Sequence, residues 1–350
     1  MPISPRPVLV ASSLALVLAA CGGTTTPEGS ADAGAEGSAS VEVTASFYPL
    51  EYLLTRVAGD HAEVSTLTAA GIDPHDLELS PRDVGSLGQS DLVVYSAGMQ
   101  PAVDDAVASQ AADNSFDASE SADLLAVGES AEEHDEHAGE SEEEHGEHAG
   151  ESEEEHAEHA DEEDAAAEEG HDDHGHGGED PHFWLDPERY GDVALAMADR
   201  LGEVDPDNAQ SYAANAEAVV ADLDALDEEF ATGLADCTTR DLVTTHEAFG
   251  YLAARYDLDQ VGITGISPES EPSAARLAEV TAQVDELGVG TIYAEPILTD
   301  AIADTVATET GAQVLVLDPL EGITDASAGE DYLEVMRSNL SALQEGLGCS

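Results

Sequence analysis

The sequence predicts an α/β protein of two lobes, each a mainly parallel sheet flanked by helices, joined by one long rigid helix. Three observations carry this expectation. Short apolar runs alternate with amphipathic segments twice along the chain, which implies parallel strands covered on both faces. The two sets are set apart by an abrupt change of composition between residues 129 and 180, where Glu, Asp, His, Ala, Ser and Gly replace large apolar residues. Between that segment and the second set, Tyr212, Ala216, Val219, Val220, Leu223, Leu226 and Phe230 recur at helical spacing. They predict a helix of about 25 residues, roughly 38 Å long at 1.5 Å per residue, enough to cross a whole domain.

The elements follow in order. Residues 1–20 carry Arg6, an apolar run from Val8 to Leu18 and then Ala19-Ala20, the pattern of a secretion signal too short to span a bilayer. Cys21 follows Leu-Ala-Ala and resembles a bacterial lipobox cysteine, lipidated after cleavage; an ordinary cleaved signal with Cys21 left free is the alternative. Residues 21–40 are small and polar and read as a flexible tether. The first lobe spans 41–128 plus 181–204, with strands at Val41–Ser46, Val64–Ala69, Leu92–Ser96 and Leu124–Val127 and a helix at Pro49–Val57. Asp186-Pro187 caps a helix that presents Tyr190, Val193, Ala194, Met197 and Leu201 on one face, and Asp205-Pro206 opens the linking helix of 205–236.

The second lobe, 237–350, reads as strand Leu242–Thr245, helix Ala248–Tyr256, strand Val261–Ile263 and helix Ala274–Leu287. Strand Thr291–Ala294, helix Ala301–Thr310, strand Val314–Leu317 and a closing helix Tyr332–Leu347 complete it. Apart from Cys21 the only cysteines are Cys237 and Cys349, and export predicts a disulfide between them.

Nine Arg and Lys stand against 77 Asp and Glu, a formal net charge of −68. That balance excludes nucleic acid and anionic lipid surfaces as partners and suits a cation binder, although acidity alone also serves solubility. Residues 129–180 repeat an 11-residue unit with a His-x-x-His pair, from His134, His145 and His156. Repeated Gly and dense negative charge disfavour an unligated helix there.

Four places outside that segment put a candidate metal ligand just beyond a strand, where ligands bind in open parallel sheets. They are His75 in Gly71-Ile-Asp-Pro-His-Asp, His182 in Asp180-Pro-His-Phe-Trp-Leu-Asp-Pro, His246 in Thr244-Thr-His-Glu-Ala-Phe, and Asp318 in Leu317-Asp-Pro-Leu. One such residue alone carries little; two from each lobe would converge on one cleft. Three imidazoles and a carboxylate suit four-coordinate Zn²⁺.

Those motifs, with Gly262-Ile-Thr-Gly-Ile-Ser-Pro-Glu-Ser-Glu-Pro-Ser, resemble the solute-binding proteins of zinc and manganese ABC importers from about Val41 to Cys349, leaving out the acidic segment. The resemblance implies two α/β lobes on a rigid helix, metal held by His75, His182 and His246, and a variable fourth position filled by Asp318, another carboxylate or water. It implies a monomeric lipoprotein on the outer face of the cell membrane, touching the membrane only through its lipid, that delivers Zn²⁺ to a membrane permease.

Manganese-binding relatives carry Glu at the place of His246, so imidazole there favours zinc. Leu77, in place of a frequent aromatic, and Glu247 depart from the pattern. The family also bears His-rich loops like residues 129–180, whose His134, His137, His145, His148, His156, His159, His171, His174 and His176 are expected to hold extra zinc weakly; a solvated spacer and a sensor or delivery arm are the alternatives.

Other functions weigh less. His246-Glu247 begins like a zinc-protease helix, but Gly250 stands four residues on, and neither a Gly-x-Ser-x-Gly elbow nor a Gly-x-x-x-x-Gly-Lys loop occurs. The expectation is therefore a binding protein and not an enzyme, with manganese or iron capture, or a zinc buffer or adhesin, as the rival readings.

Overall fold

Each lobe is built on a four-stranded, wholly parallel sheet, and the two sheets share one topology. The computed structural model describes residues 41–127, 178–267, 272–296 and 301–350. In the first lobe β1 (Val41–Ala45), β2 (Ala62–Thr66), β3 (Leu92–Tyr95) and β4 (Ser115–Asp117) lie in the order β2-β1-β3-β4. In the second, β5 (Asp241–Thr244), β6 (Asp259–Gly262), β7 (Thr291–Ala294) and β8 (Gln313–Val316) lie in the order β6-β5-β7-β8. The central strands are apolar on both faces: Leu92, Val93 and Val94 are buried, as is all of β7. That is the pattern of parallel strands with helices above and below.

Helices α1 (Tyr48–Ala58), α2 (Pro81–Leu87), α3 (Pro101–Gln110) and α4 (Pro187–Val204) flank the first sheet. Each carries a proline in its first turn, where the missing N–H would be unpaired in any case. The long helix α5 (Ala209–Gly233) has 25 residues and buries Tyr212, Ala216, Val219, Leu223, Leu226 and Phe230 along one stripe. It packs on α1 and α4 of the first lobe and on α9 (Tyr332–Leu347) of the second. The second lobe adds α6 (Gly250–Tyr256), α7 (Ala274–Leu287) and α8 (Ala301–Thr310).

The main hydrophobic cluster runs through both lobes, from Val43, Leu53 and Leu92 through Trp184, Leu223 and Phe230 to Leu242, Leu320 and Leu343. Smaller clusters lie under α7 and α8 around Ile292 and under α2 and α3 around Val93. Cys237 and Cys349 are disulfide-bonded, tying the start of the second lobe to the end of α9.

One strand differs from expectation. Leu124–Val127 is not the fourth strand of the first sheet; that place is taken by Ser115–Asp117, paired with β3. Leu124–Val127 instead meets the far end of the acidic segment: Ala126 bridges Glu179 antiparallel, Val127 N donates to Gly178 O, and Asp180 N donates to Leu125 O. Gly178–Asp180, placed in the loop by composition, is therefore paired with the first lobe.

Candidate metal centre

Each ligand candidate is set by the chain just beyond a strand or bridge. After β2 the backbone turns through Gly71 at φ 77°, a conformation glycine adopts without penalty, and Asp73 Oδ1 accepts the His75 N–H at 2.9 Å. Asp180, at the end of its bridged segment, accepts both the His182 backbone N–H at 2.9 Å and its Nδ1 at 2.7 Å. Gly250 packs so tightly against this carboxylate that a Cβ there would lie 2.8 Å from Asp180 Oδ2. His246 leaves the end of β5, its carbonyl held by Thr244 Oγ1 at 2.6 Å and Gln260 Nε2 at 3.2 Å. Its Nδ1 lies 2.5 Å from Glu295 Oε1, which also accepts from Thr245 Oγ1 at 2.5 Å.

The two carboxylates settle the tautomers. Asp180 and Glu295 take the Nδ1–H of His182 and His246, so that each ring turns its Nε2 inward, the arrangement that outer carboxylates impose on metal-binding histidines. All three Nε2 atoms face one oxygen, Glu321 Oε1, at 3.2 Å from His75, 3.1 Å from His182 and 3.4 Å from His246. The four candidate ligand atoms lie within 4.8 Å of one another. A tetrahedral ion with bonds of about 2.0–2.1 Å separates its ligand atoms by about 3.3–3.4 Å, so these distances are close to the edges of such a site. Nε2 of His246 is buried and makes no hydrogen bond of acceptable geometry, an orphan that a cation would satisfy.

Burial alone would drive His182 and His246 toward the neutral form. Asp180 and Glu321 outweigh it at His182, which is raised, and Glu295 and Glu321 push His246 up to about 10. Burial likewise opposes charge on Glu321, but the three imidazoles around it hold its carboxyl well below the ordinary range. Without metal the centre is thus an ion-paired cluster that carries its own protons.

His75, His182 and His246 come together, the first two from the first lobe and the third from the second. Asp318 does not join them, and Glu321, three residues further on, occupies the fourth corner. Asp318 is buried with its Oδ1 accepting from Leu320 N at 2.9 Å, and burial raises it to about 6. Glu321 escaped sequence reasoning because Asp318 stands nearer the strand; its one signal was an acid within the run Leu320–Ile323. Glu247 runs over Gly262, whose Cβ position its Cγ would overlap. Cys21 and the nine histidines from His134 to His176 lie outside the described residues.

Fold and centre together define a two-lobed α/β protein with a cluster of three histidines and one glutamate that could hold a metal ion. The chain belongs to the family described as zinc-uptake complex component A, periplasmic (ZnuA), whose model matches residues 43–346. It is 33% identical over 345 residues to the high-affinity zinc uptake system protein ZnuA of Bacillus subtilis, covering 97% of each chain. It is 34% identical over 342 residues to the zinc-binding lipoprotein AdcA of Streptococcus pneumoniae serotype 4, covering 97% of this chain but 60% of that protein, so it spans under two thirds of that longer relative.

Among solved structures, Zn(II)-bound AdcA of S. pneumoniae superposes with a TM-score of 0.67 at 32% identity, covering 88% of this chain and 58% of that one. The laminin-binding adhesin Lmb of Streptococcus agalactiae gives 0.69 at 31%, covering 88% and 99%.

Proposed function

We propose that this protein captures Zn²⁺ outside the cytoplasm and delivers it to the membrane permease of an ABC-type importer. The observation that carries the reading is the convergence of three imidazole Nε2 atoms and one carboxylate oxygen in a buried site shared by both lobes. We assign the ligands as His75, His182, His246 and Glu321, the last in place of Asp318. Three nitrogens and one oxygen suit zinc, whereas manganese favours carboxylate-rich sites. With four protein ligands no position stays open for a reacting water, which favours carriage over catalysis. The names of the B. subtilis and S. pneumoniae relatives, a zinc uptake protein and a zinc-binding lipoprotein, support the same reading.

Cys21 as a lipid anchor and a monomeric state complete it. Residues 129–180 serve as a weaker zinc antenna, on the strength of their His-x-x-His pairs alone. A second reading has one observation behind it: Lmb is described as bifunctional, with adhesin and metal-transporting activity. Adhesion would add to the metal site and not replace it.

The test is competitive titration against a chelator at substoichiometric metal, with His246→Ala beside the wild type, and zinc uptake in a strain lacking the gene. Strong loss of Zn²⁺ affinity in the variant and loss of uptake in the strain are expected. Unchanged affinity removes His246 from the site, manganese retained on purification overturns zinc, and normal uptake in zinc-poor medium refutes transport.

A further inference from the structure

The residue just before Glu321 is strained. Leu320 sits at φ 60°, in the left-handed region, with its side chain fully buried. The other non-glycine residues with positive φ among those described are Asp123 and Asp257, a type that tolerates this region because its short polar side chain bonds locally. Leucine has no such compensation. A strained backbone of this kind persists only where its surroundings over-determine it, and such positions gather at ligand sites.

The surroundings here do over-determine it. Asp318 N donates to Asn339 Oδ1 at 2.9 Å and Asn339 Nδ2 donates back to Asp318 O at 2.7 Å. Pro319 O accepts from the indole Nε1 of Trp184 at 2.8 Å, and Leu320 N donates to Asp318 Oδ1 at 2.9 Å. Three consecutive residues ahead of Glu321 are therefore pinned by buried partners. Trp184 stands two residues after His182, and its own carbonyl accepts from Tyr332 of α9 at 2.6 Å. The indole thus ties the segment bearing one ligand to the turn that aims another across the lobes.

Building on the zinc reading, we infer that Asp318 is a positioning residue: its side chain holds Leu320 left-handed and so points Glu321 Oε1 at the three imidazoles. Asp318 is not among the four clustered ligands; its Oδ1 serves the backbone of the turn, and its Oδ2 is buried without a partner. An amide oxygen can replace it in that duty, and a methyl group cannot. Glycine at 320 would adopt the same φ without being held.

Zinc affinity is measured on the full mature chain by chelator competition at substoichiometric metal, and Co²⁺ absorption in the visible reports coordination geometry independently of transport. Glu321→Ala is the reference for a lost ligand; if it binds zinc as tightly as wild type, the site assignment itself fails. Given a loss there, Asp318→Ala is expected to weaken binding about 10- to 100-fold, the usual effect of removing a group that orients a ligand. It should also change the Co²⁺ spectrum. Asp318→Asn should bind within about threefold of wild type with an unchanged spectrum, as the left-handed penalty it must offset is only about tenfold in population. Adding Leu320→Gly to Asp318→Ala should restore most of the affinity.

Wild-type affinity in Asp318→Ala overturns the inference, as does failure of the glycine to restore binding. If Asp318→Ala is too unstable to purify, Asp318→Asn decides. Full affinity sustains the proposal, and a loss equal to that of Glu321→Ala shows that the charge of Asp318 serves the metal directly.

Discussion

Zinc binding to this centre should release protons far above the pH at which a free imidazole titrates. Metal-free His246 lies between Glu295 and Glu321, which overcome the burial penalty and raise its pKa to about 10. Its Nε2 must lose a proton before it can bind an ion. At pH 7.5 that deprotonation lies about 2.5 units uphill, about 3 kcal/mol, and costs roughly 300-fold in apparent affinity. Affinity should therefore climb by at least about one decade per pH unit from 7 toward 9, since His182 is raised as well, where an unperturbed imidazole would give a plateau.

The perturbation that isolates the cause is Glu295→Gln, which keeps an acceptor for Nδ1 and removes the charge. Above pH 9 the variant should bind about 10- to 100-fold more weakly, having lost the carboxylate that orients the ring and raises its basicity. As pH falls, wild type suffers the proton competition more than the variant, which keeps only Glu321 beside the ring, so the gap should narrow. Affinities by chelator competition, and proton release by calorimetry in buffers of different ionisation enthalpy, check both statements. A wild-type profile flat above pH 7, or parallel profiles for the two proteins, would refute the reasoning.

Metal-free stability carries the opposite sign. The folded pKa of His246 lies above its unfolded value, so its contribution is full below about 6.5 and is lost as pH rises toward about 10. Glu321 is depressed, so its contribution is full above about 4.5 and is lost as pH falls through its folded value.

Three further outcomes are expected. Replacing Cys237 and Cys349 by Ser should lower stability by about 4–5 kcal/mol on the chain-entropy estimate, given a separation of 112 residues; an unchanged denaturant midpoint contradicts it. Deleting residues 129–177 should reduce zinc to one ion per chain by equilibrium dialysis and leave the tightest constant intact. The cut must spare Asp180, which holds His182, and a full-length protein that also binds one ion would make the segment a spacer. Tyr251→Phe should destabilise by about 1–3 kcal/mol in urea, because the hydroxyl accepts from Leu125 N and donates to Asp180 O, both buried; a change within error contradicts that account.

The two lobes were legible because the inner parallel strands β3 and β7 are buried along nearly their whole length, and α5 because its buried stripe repeats without a break. β4 was not: Ser115-Phe116-Asp117 is a three-residue edge strand of ordinary polarity, while Leu124–Val127 looks more like a strand by composition. Its apolar residues serve the core another way, with Leu125 buried beside the bridge to Glu179. That His75 and His246 lie near one another follows from their positions beyond β2 and β5, whereas His182 follows the Ala126–Glu179 bridge and no strand of the sheet. Glu295 follows β7 directly and obeys the same rule, yet one acid in a chain so rich in them carries no signal until the imidazole appears beside it. Asp180 was hidden likewise, as the last acid of a long acidic run. What separates Asp318 from Glu321 is the direction of a left-handed turn, and no residue spacing encodes that when the left-handed residue is leucine.

The way the lobes are joined limits how the ion can leave. Separating them as rigid bodies would break the cluster that links Leu53 and Leu92 to Phe230, Leu242 and Leu343, at about 1.5–3 kcal/mol for each large side chain exposed. It would also break the bonds from Trp184 to Pro319 and from Tyr332 to Trp184. The loop that carries His75 faces a smaller barrier, since His75 alone of the four is not fully buried. An open pocket lined by Ala70 and by residues between Ile323 and Glu330 flanks this loop, whose contact with the second lobe includes His75 Nε2 to Glu321 Oε1 at 3.2 Å. His182 and His246, by contrast, are fully buried and braced by Asp180 and Glu295. Release is therefore expected to begin with His75 swinging away, while Glu321, pinned through residues 318–320, and the two braced imidazoles stay in place. Hydrogen exchange with and without zinc tests this directly: protection should change in residues 70–79 and stay constant along 318–321 and α5. Comparable deprotection along α5 would mean that the lobes part as bodies.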